Sequence, residues 1–428
     1  MSPLLLAVTS ITKHSRRSSS WLSLYLIVGL AVFIVCGTTA IHYQPSIKQA
    51  FLDYLFPQSW QSVSEYLFEF FFETQAKQVL ANLIISGSLV IASIFLFPIK
   101  ERYSARFEKD QKYPIGKPEE FSLWMQGWEE TRLFLFYLTA QMVILWIGYY
   151  PYQWANITSI VLSYFFLFYT FSLDIISPTL QRHRFKYSLI NKLLWRSLPL
   201  TLLFGLIYSL PALLLSEWLL NIPDLNFTEV SFILFLVNLI FIALSIPAGT
   251  VLAFYLESLS YRTKPVSQFT KALGYSLAAI LFISGMVLHG RLLQSLHHKS
   301  QVLKAEYDID WSSFSAELNS FENLLDGQSL AKFSFAIDIH NPTGYDLIFE
   351  NSKLVMEHNH KVISQTDIKG FEVLAGETRQ VVMRLDTVSE FKSLTQLNDW
   401  SALTKDWRIE MRIELFPDMP FIIRIMGE

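Results

Sequence analysis

The sequence predicts an α-helical polytopic membrane bundle of about seven spans, some of them candidates for re-entrant hairpins. An all-β sandwich of immunoglobulin or fibronectin type follows it. Three observations carry this. Of the 428 residues, 52% are hydrophobic and only 17% charged, where an ordinary soluble domain is about 25% charged. Apolar runs of bilayer-spanning length, ~20 residues, recur up to about residue 290. From about residue 304 the hydrophobic period changes to two, the mark of half-buried strands.

The same composition excludes several function classes. A formal net charge of -3 offers no basic surface for a nucleic acid. The single cysteine, Cys36, lies in the first apolar run and supplies neither a disulfide framework nor a thiolate metal site. Phosphate loops, HExxH, GxGxxG and nucleophile motifs are absent from the sequence. Nothing therefore points to an enzyme, and no cofactor is expected.

Residues 1–20 form a basic lead ending in KHSRRSSS, expected in the cytoplasm. Residues 21–41 are an uncharged apolar run. A secretory signal has the same order of parts, but the run is long and Gly37 to Ala40 is a weak cleavage site, which favours an uncleaved span. Residues 45–77 mix aromatics with acids and read as an interfacial amphipathic helix. The second span, 79–97, is closed by Pro98. The basic cluster Lys100, Arg102, Arg106, Lys109 and Lys112 then reads as a cytoplasmic loop.

Spans three and four, about 132–150 and 157–176, are separated only by YYPYQW, a connection short enough for a re-entrant pair. Next comes a short segment, FSLDIISPTLQRHRF (171–185), on which the chain turns. An acid, Asp174, stands near the end of an uncharged run, Pro178 reads as a helix break, and Arg182, His183, Arg184 and Lys186 follow. Spans five and six, about 198–215 and 232–256, carry Pro211 and Pro247 as further helix breaks. Their connection, EWLLNIPDLNFTE, is acidic and lacks Lys and Arg. The segment 261–264 is basic again, and a seventh span, about 272–288, takes the chain outward. Every basic connection thus falls on one side, which places the tail outside the cytoplasm.

Residues 291–304 read as a linker and 305–428 as the sandwich. AKFSFAIDIH and WRIEMRIEL alternate apolar with polar residues. YDLIFENSKLVM, KVISQT and RQVVMRLD read as further strands, with NPTG and LAGE as turns. His340, His358 and His360 lie close in sequence, but no carboxylate or cysteine stands at ligand spacing, and a solvated hairpin is the expectation rather than a metal site. The order strand, Asn341-Pro342, Tyr345-Asp-Leu, strand, then a pair around Ala375-Gly376-Glu377 resembles the late-embryogenesis-abundant type 2 (WHy) β-sandwich. That family brings no catalytic residues.

Four places in the helical region, over about residues 21–264, resemble the CysZ and etoposide-induced-protein family, whose bacterial members include sulfate permeases. They are Phe97-Pro98 closing span two, Trp128-Glu-Glu opening span three, Asp174, Pro178 and His183-Arg-Phe185 after span four, and Ile246-Pro-Ala-Gly-Thr250 with Glu257 in span six. The spacing Asp-x-x-x-Pro departs from the family's Asp-x-Pro, and the permeases' Gly-rich anion loop has no counterpart before Trp21. The resemblance implies a bacterial inner membrane and transport of a small anion such as sulfate.

On the residues themselves, Asp174 is either a functional intramembrane acid or a helix-end carboxylate paired with Arg182 or Arg184. Arg182, His183, Arg184 and Lys186 attract an anion at the cytoplasmic mouth, serve as positive-inside anchors, or contact anionic lipid. Glu217 and Glu257 read as span-end acids without a special role. The alternative function is a non-transporting envelope protein, anchored by its bundle, whose sandwich binds an envelope protein or lipid.

Overall fold

The computed structural model describes residues 3–13, 18–35, 77–113, 123–219, 221–222, 227–260, 267–318, 331–344, 346–349, 351–358, 361–387 and 407–426. The expected interfacial helix at 45–77 lies outside them, apart from Lys77. Two compact units divide the chain, a mostly helical one up to Val287 and a second from Leu288 to Glu428.

In the first unit the helices are α1 (Pro3–Thr9), α2 (Ser18–Val35), α3 (Lys77–Asp110), α4 (Leu123–Gly148), α5 (Gln153–Arg182), α6 (Tyr187–Arg196), α7 (Leu198–Leu219), α8 (Phe227–Ser260) and the start of α9 (Gln268–Ser300). Five of them (α2, α5, α7, α8 and α9) are long and apolar enough to cross a membrane, and α3 makes a sixth if its two halves count as one span. The apolar part of α4, Arg132–Gly148, is shorter. At 30 residues α5 is long enough to cross by itself.

Helix α3 shows what proline does here. Pro98 has no N–H for the carbonyl of Ile94, and the ring crowds that carbonyl. The halves Lys77–Val90 and Phe95–Asp110 meet at 71°. The chain nevertheless stays helical, so the expected basic loop after Pro98 is instead the last three turns of α3. Pro178, Pro211 and Pro247 behave alike. Each was expected as a helix break, and each lies inside a helix that runs on past it. A proline removes one hydrogen bond, and in a bundle neighbouring side chains can take up the freed carbonyl.

The centre of the unit is the end of α5. Phe171 through Leu180 are buried without interruption, the pattern of a helix surrounded on all sides. Helices α3, α7 and α8 surround it, with Phe204, Leu239 and Ile246 in the same core. Two glycines allow the close approach. A Cβ on Gly205 of α7 would stand 2.1 Å from the backbone oxygen of Phe168, and one on Gly249 of α8 would stand 2.4 Å from Cγ2 of Ile175. Gly205→Ala must therefore push a backbone aside, at ~1–3 kcal/mol. Thermal unfolding in detergent should show a larger drop for Gly205→Ala than for Gly249→Ala, where a side-chain methyl is the nearest atom.

Helix α9 continues to Ser300, and a 3-10 turn follows at Gln301–Lys304. The expected linker 291–304 is helical because RLLQSLHHKSQVLK has no Gly or Pro to stop it. Among the described residues the second unit then builds nine strands: β1 (Glu306–Leu318), β2 (Ala331–His340), β3 (Leu347–Phe349), β4 (Ser352–His358), β5 (Lys361–Ile368), β6 (Phe371–Val373), β7 (Thr378–Thr387), β8 (Trp407–Phe416) and β9 (Met419–Met426). They form a seven-stranded antiparallel sheet, in the order β1-β2-β7-β5-β4-β8-β9, and a separate ribbon β3-β6. The large sheet narrows to two paired residues between β5 and β7, Ser364 with Thr387 and Gln365 with Asp386. This leaves a three-stranded and a four-stranded leaf. Alternate side chains are buried on both, Phe335, Ile337 and Ile339 on one and Ile409, Met411 and Ile413 on the other.

Candidate functional site

One face of α3 carries the site. Asn82, Ser86, Lys100, Ser104 and Glu108 are all buried. Lys100, Ser104 and Glu108 follow one another at four-residue spacing and so share a helix face. Facing them are α5 and α8, and polar side chains from those helices meet α3 at successive levels.

At the first level Asn82 donates to Ser163 Oγ at 2.5 Å. Asn238 of α8 donates to the carbonyl of Ile85 at 3.1 Å and to Ser88 Oγ. At the next level the Lys100 ammonium meets the Asp174 carboxylate at 2.8 Å, with the two side chains 2% and 4% exposed. The same ammonium donates to the Asp174 backbone carbonyl at 3.3 Å, where Ser177 Oγ also approaches at 3.5 Å. This is the carbonyl that Pro178, four residues on, leaves without its helical partner. Sequence and site are joined here: Pro178 frees an acceptor, and Lys100 of another helix takes it.

Beyond the ion pair come three hydroxyls, Ser104 standing 2.9 Å from Thr179 Oγ1 and 2.8 Å from Thr250 Oγ1. Arg182 follows. Its guanidinium donates to Ser104 Oγ at 2.7 Å and to the Glu101 carbonyl at 3.2 Å, and it forms a short ion pair with Glu108. His183 closes the series, its Nδ1 at 2.9 Å from Glu257 of α8 and its Nε2 at 4.0 Å from Glu108. With His183 protonated, three cations (Lys100, Arg182, His183) face three carboxylates (Asp174, Glu108, Glu257).

The His183 pKa is raised above the ordinary 6.5. The Glu108 carboxylate contributes most, burial of the ring opposes it, and Glu257 adds to it. A raised pKa means that the charged ring stabilises the fold; the benefit is complete below pH 6.5 and is lost as pH rises through the raised value. Melting temperature in detergent should therefore fall across that interval more steeply for the wild type than for His183→Gln. Equal slopes would mean that the ring contributes no charge.

The expected site residues fare differently. Asp174, Arg182 and His183 are brought together, but Asp174 pairs with Lys100 and not with Arg182 or Arg184. Arg184 is exposed. Its φ of 65° places it in the left-handed position that ends α5, where its N–H donates to Gln181 and that of Phe185 to Leu180. Lys100, Ser104 and Glu108 were not read as site residues, Thr250 and Glu257 were noted only for the family resemblance, and Glu257, expected to be a span-end acid without a special role, is instead the partner of His183. The four-residue spacing of Lys100, Ser104 and Glu108 would have announced three of them, had the helix been carried past Pro98. Among the described residues no group of three His, Cys, Asp or Glu could hold a metal ion. His340 shares a hydrogen bond with Thr378 Oγ1 at 2.9 Å across β2 and β7, and His360 lies outside the described residues. No family model, curated sequence or solved structure matches this chain, so both family resemblances stand on the residues quoted for them.

Proposed function

We propose that the helical unit is a transport bundle of the sulfate-permease kind, moving a small anion along the polar seam between α3, α5 and α8. The β unit, folded as a sandwich, is its accessory outside the cytoplasm of a bacterial inner membrane. One observation carries the reading. A lysine and an aspartate sit buried within an apolar bundle, in line with hydroxyls and amides above and below them. Apolar side chains of the same volume would hold these helices together as well or better, so a membrane protein that keeps such a pair keeps it for a task. Lys100 and Arg182 are the seam's anion ligands in this scheme. Asp174 and Glu108 occupy them in the arrangement described, so an arriving anion exchanges with a carboxylate.

The test is flux of labelled sulfate into proteoliposomes. Uptake above empty vesicles is expected, and replacing Lys100 and Asp174 together by Met and Leu should abolish it. Folded protein that moves no sulfate would remove the reading.

A second reading has its own support. Arg182 and His183 are met by Glu108 and Glu257, which is also what a structural lock requires. The bundle is then an anchor, and the sandwich binds an envelope protein or lipid. Deleting residues 305–428 without any cellular effect would count against it. Sidedness is common to both readings: a reporter fused after Glu428 should stay dark in the cytosol.

A further inference from the structure

The β unit carries an open groove of about 770 Å³, lined by Ile348, Phe349, Phe371, Leu415, Phe416 and Pro417 among others. Its volume is that of sites for small organic ligands, ~300–1,000 Å³. Its lining is mostly apolar, with Asn351, Glu372 and Glu414 beside the apolar side chains, and Ile348 is 66% exposed. Isolated apolar side chains on a surface need no explanation, but a contiguous concave set marks a ligand or membrane contact.

The tether of the groove identifies the occupant. Ser295 Oγ donates to the carbonyl of Leu415 at 3.1 Å, and Lys299 Nζ donates to the carbonyl of Glu414. Both acceptors belong to groove-lining residues. Both donors belong to the end of α9, whose apolar span is Gln268–Leu296. Ser295 is thus in the last turn of the apolar span of α9, and it holds the groove wall directly. Where α9 crosses a membrane, the end of its apolar span stands at headgroup depth.

Charge at the rim agrees. Arg379 lies over the Phe371 ring at 5.5 Å and donates to the Glu372 carbonyl at 2.7 Å, and Lys299 stands by Glu414. The Glu372 and Glu414 carboxylates belong to the same lining. Cations and acidic residues around a mostly apolar lining suit a headgroup carrying both signs, phosphate and ammonium, better than a purely anionic one.

We propose that this groove receives an acyl chain of a zwitterionic phospholipid from the leaflet in which α9 ends. The inference uses α9 as a membrane span and is independent of transport.

The experiment uses the full chain in vesicles of phosphatidylethanolamine and phosphatidylcholine, with Cys36→Ala to clear the background. Ile348→Cys carries a bimane label, and nitroxide-bearing phosphatidylcholine is the quencher. Val382→Cys, 60% exposed on β7, is the control. The label at 348 should lose most of its emission and the label at 382 should keep it. Adding Phe416→Asp should restore emission at 348. An unquenched label at 348 overturns the proposal. Equal quenching at both positions overturns it too, because the β unit then lies on the membrane without a selective groove.

Discussion

Lys100→Met and Asp174→Asn, each alone, are expected to lower the stability of the helical unit by ~3–5 kcal/mol, the usual consequence of stranding one member of a buried ion pair. Lys100→Met has the larger effect of the two. It removes the partner of the Asp174 carboxylate and also the donor to the carbonyl freed by Pro178. The double replacement, Lys100→Met with Asp174→Leu, is expected to recover most of the loss, since no charge is then left unpaired. Thermal unfolding in detergent, on the two single variants and the double, reads the coupling. Additive losses would show that the pair does not act as a unit. Recovery of stability together with loss of sulfate flux would separate the pair's task from its structural part.

How much of this was legible in the residues follows from what each pattern encodes. Apolar helices and strands are written locally, in the run of apolar residues or in their alternation, and they emerged close to where the patterns put them, but the expected third span is the shorter apolar helix Arg132–Gly148. The path of a helix through a proline is not local. Pro98 and Pro178 carry the same chemistry as a helix-ending proline, and what keeps α3 and α5 going is the packing of neighbours around them. Once α3 was ended at Pro98, Lys100 and Glu108 passed for loop residues, and Asp174 had only Arg182 or Arg184 left as partner. The site was therefore half visible: its α5 members stood out as charges in an apolar run, while its α3 members were hidden by a boundary. On the β side, β1 and β9 were not foreseen, and YDLIFENSKLVM, read as one strand, holds two, β3 and β4, in different sheets. The Asn341-Pro342 signal was seen, and its purpose was not.

That purpose is the ground for the other large effect. Asn341→Ala is expected to destabilise the β unit by about 3 kcal/mol, from several buried groups at ~1–3 kcal/mol each. The Asn341 side chain, fully buried, donates to the carbonyls of Val373 and Leu374 at 3.0 and 3.1 Å and accepts from the N–H and hydroxyl of Thr343 at 3.0 and 2.5 Å. Its backbone pairs with Glu377 and with Gly376, whose φ of 73° suits glycine. Asp346 adds an acceptor for the N–H of Ala375 at 2.9 Å. The motif therefore clamps the end of β2 to the β6–β7 turn, and truncation leaves the carbonyls of Val373 and Leu374 without that donor. Asn341→Asp should do no better, because a carboxylate cannot donate and sets a negative charge against them. Hydrogen exchange on the full chain should show faster exchange at Gly376 and at the ends of β2 and β7, with α5 unchanged. If exchange there stayed at the wild-type rate, Asn341 would be a packing residue and its hydrogen bonds would contribute nothing net.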